Sequence, residues 1–194
     1  ILVVLATEKK DEHASETAQI LHSEFGKTFG GFFVTTHTLR PGEIAGKSSN
    51  MASAAKEILP ELRKRNIQFA FTTITSCDAD ARIHPKYFSY LTHSFLTDPD
   101  RAYHFYQGAI LFYSNIWRIP LPNKFFNTLS SIQNLAVLSN PSQFINFSTY
   151  SLSYQTVIDV GFWDPDVIPE DSHLSFKVYF AKGAKVATKG IFLP

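Results

Sequence analysis

The first five residues, Ile1-Leu2-Val3-Val4-Leu5, form an unbroken apolar run with no polar position to turn toward water. That is the pattern of a strand covered on both faces of a parallel sheet, and such a strand needs helices beside it. The chain supplies one at once: Ala14, Ala18, Leu21 and Phe25 recur at helical spacing over His13 to Phe25, and Gly26 ends the pattern. Gly31 to Thr38 reads as a second strand, and Leu39 to Asn50, with Pro41, Gly42 and Gly46, as a loop. Met51 to Arg65 reads as a helix with Ser48, Ser49 or Asn50 available as N-cap, its Arg63-Lys64-Arg65 end suiting the helix dipole. Gln68 to Thr75 reads as a third strand that runs out into Cys77-Asp78-Ala79-Asp80. This alternation predicts an α/β sheet with helices on its faces.

From Tyr103 to Phe147 the chain turns to aromatics, Asn and Ser, with an amphipathic helix expected over Asn123 to Leu138 and read as buried rather than resting on a membrane. No repeat and no Pro/Gly/Ser linker divides the chain, so residues 1–194 are read as a single domain. Eighteen Lys and Arg against 17 Asp and Glu leave no basic field for a polyanion, which excludes nucleic acid as a partner. The single cysteine, Cys77, excludes a disulfide framework and a multi-cysteine zinc site; it is read as a small buried residue at a strand end, in a reducing compartment. No apolar run approaches the roughly 20 residues that span a bilayer. The chain opens inside one strand pattern and stops inside another, Ala184 to Pro194, so it reads as a piece of a larger protein.

Two carboxylates one residue apart at a strand end can converge on one hard cation, and magnesium or manganese in such sites is shared with phosphates. Asp78 and Asp80 form such a pair; a plain turn in which aspartates bond nearby amides is the competing account. A second acidic constellation follows: Gly161-Phe162-Trp163-Asp164-Pro165, then Pro169-Glu170-Asp171 ahead of Leu174, Phe176, Val178 and Phe180. Asp171 reads either as the cap of the following helix or as a base that takes a proton from a hydroxyl nucleophile. Gly46-Lys47-Ser48 matches the end of a P-loop, but Pro41 stands where that motif needs glycine, so the P-loop reading fails. A helix N-terminus able to meet an anion, or a plain N-cap, remains. His84 and His173 lie near the acidic motifs as candidate ligands, although no zinc-type histidine pair is present.

In this order, Gly46-Lys47-Ser48-Ser49-Asn50, Asp78-Ala79-Asp80, Gly161-Phe162-Trp163 and Pro169-Glu170-Asp171 resemble glycosyltransferase family 2, most closely its membrane-associated, cellulose-synthase-like branch. The resemblance implies a Rossmann-like GT-A three-layer fold with a mixed, mostly parallel central sheet. It implies a hexosyltransferase of polysaccharide biosynthesis that moves a sugar from a nucleotide donor, a UDP-sugar, to a saccharide or lipid-linked acceptor with inversion. Asp80 would bind Mg2+ or Mn2+, Asp78 would contact the nucleotide or the metal's surroundings, and Lys47 and Asn50 would lie beside the donor. Asp171 would be the base, with Phe162, Trp163 and Glu170 on the acceptor side. The expected location is the cytoplasmic face of the cell membrane, held by segments outside this chain. The family's first nucleotide-binding strand and its later Gln-x-x-Arg-Trp segment have no counterpart in these residues.

Two other readings use the same residues. A donor-binding or structural remnant would keep the acidic motifs without turnover. A haloacid-dehalogenase-like phosphatase would use Asp78 as nucleophile, but such proteins carry Thr or Val where Arg82 stands and place the motif near their start.

Overall fold

The computed structural model describes residues 1–140 and 145–193. Residues 141–144 of the aromatic segment and Pro194 of the expected last strand lie outside the described residues. The described chain is a mixed α/β structure that divides into two compact units, residues 1–67 with 161–174, and residues 68–160 with 175–194.

The first unit begins with a strand where the apolar run predicts one, although every residue of that strand is only half-buried rather than covered on both faces. Strand β1 (Leu2–Glu8) leads into helix α1 (Ala14–Phe25), strand β2 (Gly31–His37) and helix α2 (Lys47–Lys64). β1 and β2 pair in parallel from Leu2↔Gly31 to Glu8↔His37, a register that needs a helical crossover such as α1. α2 buries Ala52, Ala54, Ala55, Ile58 and Leu62, a stripe of small and branched side chains that lets the helix lie close to the strands.

The second unit contains strand β3 (Thr73–Ser76), helix α3 (Tyr87–Thr97), strand β4 (His104–Gly108), helix α4 (Leu121–Leu138), strand β5 (Tyr150–Ser153), helix α5 (Tyr154–Asp159) and, after helix α6 (Glu170–Lys182), strand β6 (Ala187–Ile191). α6 passes from the first unit, through Leu174, into the second. The sheet order is β3-β5-β4-β6. β5 runs antiparallel to both neighbours, and β4 and β6 are parallel. Tyr87, Leu91 and Phe95, four residues apart along α3, pack with Tyr106 and Ile191 to form a core.

The strand pairing is mixed, as expected, but the described ladders fall into two sheets and the four-stranded one is mostly antiparallel around β5, unlike the one mostly parallel central sheet expected. β5 is short and wholly buried, and its Tyr-Ser-Leu-Ser sequence lacks the apolar run that marks a central strand. The expected strand over Gln68 to Thr75 begins later, because Phe69–Phe71 forms a 3-10 turn. That turn sets the Phe69 ring edge-on to Tyr154 and the Phe71 ring under the Arg101 guanidinium, 4.5 Å from its centroid. Cys77 is exposed, not buried, since β3 has already ended at Ser76.

Candidate active site

The Gly-Lys-Ser-Ser-Asn turn opens α2 four residues earlier than its periodicity suggests, directly after the extended Gly46. Ser48, Ser49 and Asn50 lie inside the helix, so none is its N-cap. Their side chains hold backbone carbonyls instead. Ser48 Oγ donates to the Asp164 carbonyl at 2.7 Å, Ser49 Oγ to that of Ile44 at 2.8 Å, and Asn50 Nδ2 to that of Ala6 at 3.3 Å. The Ile44 amide in turn donates to the Pro165 carbonyl at 2.9 Å. The turn is thus stapled to the Asp164-Pro165 segment of the Gly-Phe-Trp-Asp-Pro motif.

This stapling sets the position of Lys47. A cation at a helix N-terminus opposes the helix dipole, and acids compensate it here: Lys47 Nζ lies 3.2 Å from Glu170 Oε1 and 4.0 Å from Asp171 Oδ1. Both acids occupy the first turn of α6, where carboxylates suit the dipole. Asp171 is the second residue of α6, so it does not take the capping position ahead of the helix. The structure therefore brings Lys47, Glu170 and Asp171 together from positions more than 120 residues apart.

Beside them, His173 Nδ1 lies 3.3 Å from Asp164 Oδ2. Phe162 and Trp163 are 8% and 3% exposed, so their rings belong to the packed interior and present no open stacking face. Phe162 has φ of +70°, directly after Gly161 at +79°. An aromatic residue in the left-handed region is strained and persists only where its surroundings fix it.

A further element escaped the sequence reading. His37 at the end of β2 is buried, with Nδ1 3.0 Å from Glu8 Oε1 and Nε2 3.0 Å from Glu43 Oε2. Burial alone would lower its pKa, but the two carboxylates outweigh that and raise it above 6.5. A ring with both nitrogens on carboxylates carries both protons. It clamps the loop before Lys47, whose Glu43 also accepts the Arg40 amide at 2.8 Å. Glutamates 35 positions apart flanking a histidine leave no local sequence signal.

In the second unit, Asp78 to Ala81 form a turn in which the Ala81 amide donates to the Asp78 carbonyl at 3.0 Å. The turn reading thus accounts for the backbone. Asp78 is half-buried with Oδ2 accepting from Ser148 Oγ at 2.6 Å, and Asp80 is exposed. Ser148, at φ of +58°, sits 70 residues from its partner, so no local pattern ties it to Asp78. His84 turns its Nδ1 to the Lys86 amide at 3.2 Å, a local contact at the start of α3.

Among the described residues no three His, Cys, Asp or Glu side chains gather as a metal cage. Two carboxylates on a turn fit the other mode of holding magnesium, in which protein supplies one or two oxygens and substrate phosphates and water supply the rest. Hard oxygen donors are the right chemistry for that ion.

Comparison with curated proteins and with solved structures gives no match. The family model for Glycosyl transferase family group 2 matches residues 73–190, more than half of the chain, from the start of β3 into β6 and across both acidic motifs. The chain therefore belongs to glycosyl transferase family group 2, whose members pass a sugar from a nucleotide-sugar donor to an acceptor.

Proposed function

We propose that the protein is an inverting, metal-dependent hexosyltransferase of GT-A type that uses a UDP-sugar. The observation that carries this is the Asp78–Asp80 turn, two carboxylates at the exit of β3 within the family match. In this reading Asp80, with Asp78 beside it, holds Mg2+ or Mn2+, and Ser148 fixes the rotamer of Asp78. The ion supplies charge neutralisation on the donor's diphosphate, an effect of several kcal/mol. Asp171 removes the acceptor hydroxyl's proton as that oxygen attacks the anomeric carbon from the side opposite the leaving diphosphate, which inverts the configuration. A base of this kind contributes about 10²–10⁴ in rate.

Lys47 compensates the paired charges of Glu170 and Asp171, and Glu170 stands on the acceptor side with Asp171. Asn50, tied to the Ala6 carbonyl, holds the donor-side turn against β1. Phe162 and Trp163 support that turn's partner segment from the interior instead of stacking on a sugar. The motif order supports the cellulose-synthase-like branch, with a saccharide or lipid-linked acceptor, polysaccharide synthesis at the cytoplasmic face of the cell membrane, and anchoring segments outside these residues.

Calorimetry with UDP and manganese tests the donor site. Heat in the native chain that is lost in Asp80→Ala is the expected result, and no heat from either protein removes the metal-diphosphate assignment. Transfer from labelled UDP-hexoses tests the base: activity retained in Asp171→Asn excludes Asp171 from that role. Donor binding with no transfer by the native-length protein favours the donor-binding remnant.

A further inference from the structure

Helix α4 is built inside out. Asn127, Ser131, Asn134 and Leu138 are spaced by four, three and four residues and so share one face. That face is turned inward within the second unit. Ser131 Oγ accepts from the Phe112 amide at 3.0 Å and donates to the Asn127 carbonyl at 2.7 Å, Asn134 Nδ2 donates to the Ile110 carbonyl at 3.2 Å, and Ser131 and Leu138 are buried. The opposite face carries Leu121, Phe125, Leu129 and Ile132, all exposed, Leu121 to 78%. Trp117, just ahead of the helix, is 87% exposed. A helix on the water-facing surface of a globular protein has these faces the other way round. The expectation that this amphipathic helix is buried through its apolar stripe is overturned: polar side chains anchor it and the apolar stripe faces out.

Charge separates the candidate occupants of this face. No acidic residue occurs between Asp100 and Asp159, while Arg118 and Lys124 border the patch and Lys124 Nζ lies 5.7 Å from the Trp117 ring centroid. A second copy docked face to face would bring these cations against their own kind. An exposed apolar face rimmed by cations, with tryptophan at its edge, matches the interface of an anionic bilayer. No described helix is long and apolar enough to cross a membrane, so contact through α4 means lying along the surface.

We propose that the Trp117–Ile132 face is a docking surface for an anionic lipid bilayer. α4 lies flat at the headgroup boundary with Leu121, Phe125, Leu129 and Ile132 toward the acyl chains and Arg118 and Lys124 on lipid phosphates. This contact is made by the chain's own residues and does not depend on the identity of the sugar reaction.

Vesicle flotation of the 194-residue chain tests it, using phosphatidylcholine with and without phosphatidylglycerol. The chain is expected to float with the anionic vesicles only, and Trp117 emission to shift to the blue. Leu129→Glu with Ile132→Glu abolishes flotation while circular dichroism and the unfolding midpoint stay unchanged, because both sites are exposed. Arg118→Gln with Lys124→Gln weakens partitioning about twenty-five-fold, from roughly fivefold per cation. Flotation with neither vesicle, equal flotation with both, or flotation that survives the two glutamates overturns the proposal. So does a dimer in sedimentation velocity that the glutamates dissociate when no lipid binding is seen, since a second copy then covers the face.

Discussion

Asp98 and the Asp78–Asp80 turn are both acidic sites of the second unit, yet they are finished in opposite ways. Asp98 has a side chain only 2% exposed, and its Oδ2 accepts from His104 Nδ1, Tyr106 Oη and Lys189 Nζ, each at 2.7 Å. Its Oδ1 accepts from the Asp100 amide at 3.0 Å. Burial alone would raise its pKa, but the hydrogen bonds from Lys189, Tyr106, His104 and the Asp100 amide outweigh it and hold the carboxyl far below the usual range. The same buried contact pushes the Tyr106 hydroxyl well above its ordinary value. Asp80, by contrast, is exposed and makes no hydrogen bond or ion pair among the described residues. A carboxylate saturated by its own protein ties α3 to β4 and β6. One whose lone pairs are left open is available to a ligand.

Four measurements break or sharpen this contrast. The largest effect is expected from Asp80→Ala, which should cut sugar transfer about a thousandfold while leaving urea stability within about 0.5 kcal/mol. A large stability loss there would place Asp80 with Asp98. Next, Asp98→Asn should cost about 3 kcal/mol in the same urea assay, because it disrupts a buried, charged hydrogen-bond cluster. A loss no greater than that of Asp80→Ala would erase the contrast.

The third is pH. The folded pKa of Asp98 is depressed, so its contribution is complete above the unfolded value near 3.9 and is lost as pH falls toward the folded value. The gap in urea midpoint between native and Asp98→Asn protein should therefore narrow from pH 5 to pH 2. His37 gives the opposite window: its folded pKa is raised, so its contribution is complete below about 6.5 and fades as pH rises through the folded value, an alkaline loss that His37→Gln should not show. The smallest effect is expected from Ser148→Ala, about 1 kcal/mol, read as roughly fivefold weaker binding of manganese with UDP.

What the sequence discloses follows the range of the forces involved. The Ile1–Leu5 run, the Ala14-Ala18-Leu21-Phe25 spacing and the Gly26 stop are local patterns, and β1 and α1 appear where they predict. β6 likewise falls within the expected terminal strand. The acidic motifs were visible because their residues are neighbours. Their partners were not: Ser148 reaches Asp78, Lys47 reaches Glu170, and His37 reaches Glu8 across separations that only tertiary packing closes. Phe162 and Trp163 are expected on the acceptor side by the motif alone, and the near-complete burial of both rings depends on packing that the motif does not show. α4 was found in sequence but turned the wrong way, because amphipathic periodicity defines two faces and leaves open which one the fold will anchor.

The ladder of β3 has a consequence for how the protein comes into being. Its partner is β5, with Thr73 opposite Ser153 and Ser76 opposite Tyr150. A chain emerging from the ribosome thus presents Asp78 and Asp80 well before the strand that fixes them has been made. Pairings across such separations are slow to form, and β5 must enter between β3 and β4 rather than add to an edge. The acidic turn is therefore assembled late. A nascent chain halted before Ser148 lacks both the strand that sets the turn and the Ser148 hydroxyl, so it holds the motif without its geometry.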